Sequence, residues 1–158
     1  MRESPSPTAE YHLLFVCTAN ICRSPMAEYL AQAYGAQRGW HVTAQSAGLM
    51  GLIDKPAHKR SVRAMAEIDF NIQSHKSQGV TDELISWADY ILVMELGHQV
   101  KLHDRFPASE GKVLMLGTFG GTHEVADPIG GWMGRFRRCR DLLSTCVQGF
   151  MDQLPPPS

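Results

Sequence analysis

The feature that most constrains this chain is the apolar run at residues 12–17, His-Leu-Leu-Phe-Val-Cys, which breaks off into Thr-Ala-Asn-Ile-Cys-Arg-Ser-Pro. Such a run has no alternation of inward and outward side chains, so it reads as a strand buried on both faces, as in a parallel sheet. The segments 89–94 and 112–117 repeat the pattern, and 41–48 adds a strand whose β part lies near its start. The stretches between these runs carry helical signals. In 24–39, Ser24 stands as N-cap and Pro25 at the first helical position, with Gly35 and Gly39 as candidate stops. A proline opens 56–68, Thr81 caps 81–88, and 96–106 is a shorter helix. The last helix runs from about Gly131 to Leu154 and turns Phe136, Leu142, Leu143, Val147 and Phe150 inward. Strands alternating with helices predict an α/β domain with a parallel sheet and right-handed crossovers.

The 158 residues suit a single domain. Residues 1–11 read as a disordered tail, 12–154 as the domain and 155–158 as a frayed end. A formal net charge of −1 argues against nucleic acid as a partner. No apolar segment approaches the ~20 residues of a membrane span, and no secretion signal precedes the first strand, so a cytoplasmic location is expected. Of the four cysteines, Cys139 and Cys146 lie on one helix and read as buried thiols rather than a disulfide.

In parallel α/β sheets, ligands bind where strands end and helices begin. The loop from Cys17 to Arg23 sits there. Curled around an anion, it would present backbone N–H groups together with the positive end of the following helix. Arg23 would add a forked cation suited to phosphate oxygens. The same field would favour the thiolate of Cys17, which is the nucleophilic form. A phosphate-sized anion held over a thiolate is an arrangement for phosphoryl transfer to sulfur. The nucleotide-binding pattern GxxxxGK[ST] is absent from the sequence.

The stretch Val-Cys-Thr-Ala-Asn-Ile-Cys-Arg-Ser-Pro-Met-Ala-Glu (16–28) resembles the signature of the low-molecular-weight protein tyrosine phosphatases. Ser-Ala-Gly at 46–48, Ser-His-Lys at 74–76, Asp-Tyr-Ile-Leu-Val-Met at 89–94 and Asp-Pro at 127–128 follow in that family's order. The resemblance covers roughly residues 12–152. It implies a single α/β domain with a four-stranded parallel sheet flanked by helices on both faces and a phosphate-binding loop after the first strand. The implied activity is hydrolysis of phosphate monoesters on protein substrates, without a metal or other cofactor. Cys17 would form a phosphocysteine and Arg23 would hold the phosphate oxygens. The loop would comprise Thr18, Ala19, Asn20, Ile21, Cys22 and Ser24, with Ser24 hydrogen-bonded to the thiolate and Asn20 in a left-handed conformation. Ser46 and His75 would brace Asn20, and Cys22 would trap an oxidised Cys17 as a disulfide.

Ester cleavage needs a proton donor for the leaving oxygen, and Asp127, ahead of Pro128 in a glycine-rich loop, is the candidate. The sequence departs from the family pattern in places. Ala19 replaces a glycine, which is harmless if its φ is negative. Glu95 replaces an aspartate, a change expected to alter packing more than chemistry. Ile129, Gly130 and Gly131 follow Asp-Pro where tyrosine-specific members carry aromatic residues, so Leu49, Leu52 and Ile129 are the expected pocket side chains. The Asp-Pro-x-Gly-Gly loop is similar to that of protein arginine phosphatases, whereas Ile21 matches the tyrosine-specific members. Phosphotyrosine is therefore the expected substrate, with phosphoarginine as the alternative. Arsenate reduction lacks the extra resolving cysteines it needs, and a non-catalytic phosphate-binding module would not need Cys17, Arg23 and Asp127 together. His98 and His103 are not spaced as a metal pair on one helical face, and the arginines at 135, 137, 138 and 140 read as a solvated face able to dock acidic substrates.

Overall fold

The structure is a computed structural model and describes residues 10–155. Its strands are β1 (Glu10–Cys17), β2 (His41–Gly48), β3 (Tyr90–Val93) and β4 (Val113–Met115), all parallel, in the order β2-β1-β3-β4. The helices are α1 (Arg23–Gln37), α2 (Lys59–Ala66), α3 (Asp82–Trp87), α4 (Leu96–Arg105) and α5 (Met133–Gln153). The chain leaves β1 toward β2 on one side, and β3 then adds on the other. The C-terminal end of β1 is thus the point where the sheet order reverses, the crevice where such sheets bind ligands.

β1 is buried on both faces. Leu13, Phe15 and Cys17 face the layer containing α1 and α5, while Leu14 and Val16 face the layer containing α3 and α4. Burying Leu13, Leu14, Phe15 and Val16 stabilises the fold by about 1.5–3 kcal/mol each, as an upper estimate. The strand starts at Glu10, so Glu10 and Tyr11 pair with His41 and Val42 rather than belonging to a tail. The remainder of that expected tail, residues 1–9, and residues 156–158 lie outside the described residues.

Two helix starts differ from the sequence reading for physical reasons. α1 begins at Arg23 with Cys22 as its N-cap and no side-chain cap, because the Ser24 hydroxyl is engaged by Cys17 and Asn20. α2 begins at Lys59, where the His58 ring accepts a hydrogen bond from the Arg60 N–H; Pro56 stays in the preceding loop. Gly35 does not stop α1. It lies inside the helix against β2, where a Cβ would come within 2.5 Å of Val42. Gly39, with φ of 71°, follows the helix end in the left-handed conformation.

Gly48 closes β2 against the loop after β1. A methyl group there would meet the backbone of Thr18, Ala19 and Asn20 at 2.8–2.9 Å. The glycine lets the two chain segments touch, and Leu49 N–H and Met50 N–H then donate to the carbonyls of Cys17 and Thr18.

Candidate active site

The loop between β1 and α1 is held from outside by its carbonyls. Besides the bonds to Cys17 and Thr18, the Asn20 carbonyl accepts from His75 Nε2 at 2.8 Å and the Ile21 carbonyl from the His58 N–H at 2.8 Å. Among the described residues, no protein group accepts from the backbone N–H groups of Thr18 to Cys22. A loop that ties off its acceptors and keeps its donors is built to hold an anion. Asn20 has a φ of 63°, which asparagine tolerates, whereas Ala19 is not among the residues of positive φ.

The Cys17 sulfur lies at this loop, 2.9 Å from Ser24 Oγ, which also accepts from Asn20 Nδ2 at 2.8 Å. The Ser24 hydroxyl, its acceptor side occupied by Asn20, has its proton to donate to sulfur. Asn20 Oδ1 in turn accepts from the backbone N–H of Gln78 at 3.0 Å. Ser46 does not touch Asn20. Its register partner on β1 is Phe15, so it faces the α1 layer, where its hydroxyl donates to Glu28 at 2.6 Å. Burial raises the Glu28 carboxyl above its ordinary value, against the opposing effect of that bond. Among the described residues, the link from Ser46 toward Asn20 is indirect, through the Ser46 carbonyl, which accepts from Gln78 Nε2.

Arg23 is 1% exposed. Its guanidinium donates to Glu95 and, at 2.8 Å, to the carbonyl of Val125, and approaches Asp127 Oδ2 at 3.6 Å. Glu95 therefore belongs to the site rather than to packing alone. Burial works to raise its carboxyl pKa, but the hydrogen bond and charge of Arg23 prevail and hold it below the ordinary range. The Asp127 carboxylate also accepts from the Ile129 N–H at 3.0 Å, which fixes its turn. Cys17, Ala19, Ile21, Cys22, Arg23, Asp127 and Ile129 together line a small cavity of about 20 Å³. Leu49 and Leu52 are not in its wall. Leu49 shares a sheet face with Ala47 and packs into the α3–α4 layer instead.

His98 is a site residue without a sequence signal of its own. The Glu95 N–H donates to its Nδ1 at 3.1 Å, so the ring proton sits on Nε2, which donates to Thr18 Oγ1 at 3.0 Å. One neutral imidazole thereby joins the loop after β1 to the start of α4. Gln78 is similarly silent in sequence, because it acts through its backbone. Trp132, 80% exposed in the Asp127 loop with Arg60 over its ring, supplies an aromatic surface that the residues directly after Pro128 lack. Among the described residues, no group of three or more His, Cys, Asp or Glu side chains is arranged to hold a metal ion.

Burial and the charge of Arg23 push the His98 pKa from its ordinary 6.5 down to about 4, with Glu95 and Glu124 opposing and Lys101 assisting. The folded protein thus binds fewer protons here than the unfolded chain between those values. The stabilisation is complete above the ordinary histidine pKa and is lost as pH falls toward about 4. His75, lowered mainly by burial, acts in the same direction. Urea unfolding at about pH 7 and about pH 5 is expected to show wild type losing up to about 2 kcal/mol more than His98→Gln over that interval. Equal losses in both proteins would contradict the buried neutral imidazole.

The family model described as low molecular weight phosphotyrosine protein phosphatase matches residues 12–156. A low molecular weight protein-tyrosine-phosphatase of Acinetobacter johnsonii is 35% identical over 136 residues, spanning 86% of this chain and 92% of its own. A protein-arginine-phosphatase of Geobacillus stearothermophilus is 33% identical over 146 residues, spanning 91% and 96%. Among solved structures, the YwlE arginine phosphatase, as a cysteine-to-serine mutant with a phosphorylated active-site serine, superposes with a TM-score of 0.86 at 32% identity, covering 90% of this chain and 95% of that one. The chain belongs to the low molecular weight phosphotyrosine protein phosphatase family.

Proposed function

We propose that this protein hydrolyses phosphotyrosine in proteins, with Cys17 as nucleophile and Asp127 as general acid and then base. The observation that carries the proposal is the convergence of the Cys17 sulfur, the Ser24 hydroxyl, the Arg23 guanidinium and the Asp127 carboxylate on one donor-rich loop. In the first step the Cys17 thiolate attacks phosphorus. The S–P bond forms, the ester P–O bond breaks, and Asp127 gives its proton to the departing phenolate oxygen. The loop N–H groups and Arg23 carry the negative charge spread over the other phosphate oxygens. In the second step Asp127 takes a proton from water, water oxygen bonds to phosphorus, and the S–P bond breaks. Ser24 donates to the released thiolate. A phosphorylated active-site residue in the YwlE mutant supports the covalent route.

Phosphotyrosine is favoured over phosphoarginine by the cavity wall. Ile21 and Ile129 give a phenyl ring an apolar wall to rest on, whereas the carboxylate in that wall, Asp127, is already paired with Arg23. Cys22 lines the same cavity, and burial, followed by the charges of Asp127 and Cys17, pushes its thiol up to about 12. It would stay protonated in reserve until peroxide oxidises Cys17 to the sulfenic acid. Attack by the Cys22 sulfur on that sulfur then forms the disulfide and expels water. Free thiols at all four cysteines fit a reducing compartment, and we assign the protein to the cytoplasm.

Asp127→Asn is expected to lower kcat/KM, which reports the phosphorylating step, by about 100-fold or more on phenyl phosphate and far less on p-nitrophenyl phosphate, whose leaving group needs no proton. Equal losses on both esters would remove the acid role, and faster turnover of phosphoarginine than of phosphotyrosine peptides would overturn the substrate assignment. After peroxide treatment, dithiothreitol should restore wild-type activity but not that of Cys22→Ser. Equal recovery in both would remove the protective disulfide.

A further inference from the structure

A second and larger cavity, about 170 Å³, lies on the other side of the Asp127 loop, between that loop and the first turns of α5. Val125, Pro128 and Leu142 give it an apolar lining, Cys139 closes it, and Arg135 and Arg138 border it. The chemistry proposed above makes no use of it.

The structure separates the arginines of α5 into two pairs. Arg137 and Arg140 are consumed internally: both reach Glu67, and Arg140 also bonds the Ala64 carbonyl and Asp141. Arg135 and Arg138 are exposed and, among the described residues, have no carboxylate within salt-bridge distance. Their placement is aided by two glycines. A side chain on Gly131 would collide with the stem of Arg135, and the Arg138 guanidinium lies 3.4 Å from where a Cβ of Gly134 would be. Arg60, which donates to the Gly131 carbonyl and covers Trp132, adds a third cation without a carboxylate partner beside the same loop. The one carboxylate in the cavity wall, Asp127, is turned toward Arg23.

We infer that this cavity is the subsite for an acidic residue that flanks the phosphorylated one in the protein substrate. Its carboxylate would meet Arg135 and Arg138, and its methylene stem would lie on the apolar floor. Asp127 lines both this cavity and the one holding Cys17, so a segment reacting at Cys17 passes the loop that walls this subsite. Successive residues of an extended segment advance about 3.3–3.6 Å each, so a near neighbour of the phosphotyrosine is the one presented. The inference rests on the protein-phosphatase reading and adds to it a charge preference.

The test uses three phosphotyrosine peptides that differ only in having Glu, Gln or Lys on each side of the phosphotyrosine, with p-nitrophenyl phosphate as the control. For wild type, kcat/KM should fall about fivefold from Glu to Gln and again from Gln to Lys, mainly through KM. The double substitution Arg135→Glu with Arg138→Glu should reverse that order while leaving kcat/KM on p-nitrophenyl phosphate within about twofold. The milder Arg135→Gln with Arg138→Gln should flatten it. A flat peptide series for wild type alongside good p-nitrophenyl phosphate turnover would overturn the subsite and leave the phosphatase reading standing. So would an unreversed order in the charge-reversed variant, or a parallel loss on p-nitrophenyl phosphate. Failure of wild type to cleave any of the esters would overturn the phosphatase reading itself, and the subsite with it.

Discussion

One buried cation organises this molecule. Arg23 stands at the first position of α1 with 1% of its surface exposed, and a charge so placed must be paired to be tolerated. Its three partners come from two other parts of the chain: Glu95 after β3, and the Val125 carbonyl and Asp127 carboxylate of one loop. Stripping a buried charge of its partner typically costs about 3–5 kcal/mol. The start of α1, the end of β3 and the Asp127 loop are therefore bound to one another by electrostatics as well as by packing. The proposed role of phosphate partner falls on the same guanidinium. Structural and chemical demands thus fall on one side chain, and the surrounding backbone is arranged to meet both.

The sheet supplies the frame for that arrangement. Burial of β1 on both faces brings Cys17 to the point of reversed strand order, and the close approach of Gly48 allows the neighbouring strand to bind the loop's carbonyls. His75, His58 and the Gln78 backbone complete the outer ring of hydrogen bonds. Nothing on that ring takes the loop's N–H donors. The strained residue, Asn20 at φ 63°, is fixed at its side-chain oxygen, its side-chain nitrogen and its carbonyl. The loop's shape is set before any ligand arrives, and preorganisation of this kind is the main source of transition-state stabilisation in phosphoryl transfer.

The sequence made the fold and the heart of the site legible because both depend on local signals. Continuous apolar runs mark buried strands, and a cysteine-to-arginine loop leading into a helix marks the anion site. What it concealed depends on tertiary geometry. The layers that Ser46 and Leu49 enter have no linear signal, because strand parity decides them and that parity follows from the register with β1. Glu95 and His98 reach the site only because β3 lies next to β1, so their pairing with Arg23 and Thr18 carries no linear signature. Gln78 acts through a backbone N–H and Val125 through a carbonyl, groups that every such residue possesses. The expected N-cap at Ser24 failed because the site has first claim on that hydroxyl.

The central claim is that turnover passes through phosphate covalently bound to Cys17. Asp127→Ala tests it most directly with p-nitrophenyl phosphate, because the first step then needs no proton donor while the second lacks its base. Rapid quenching during turnover, followed by peptide mass spectrometry, should find a phosphoryl group on the Cys17 peptide, absent when Cys17→Ala is added. Continued release of inorganic phosphate with no adduct on Cys17, or with an adduct on another residue, would contradict the account.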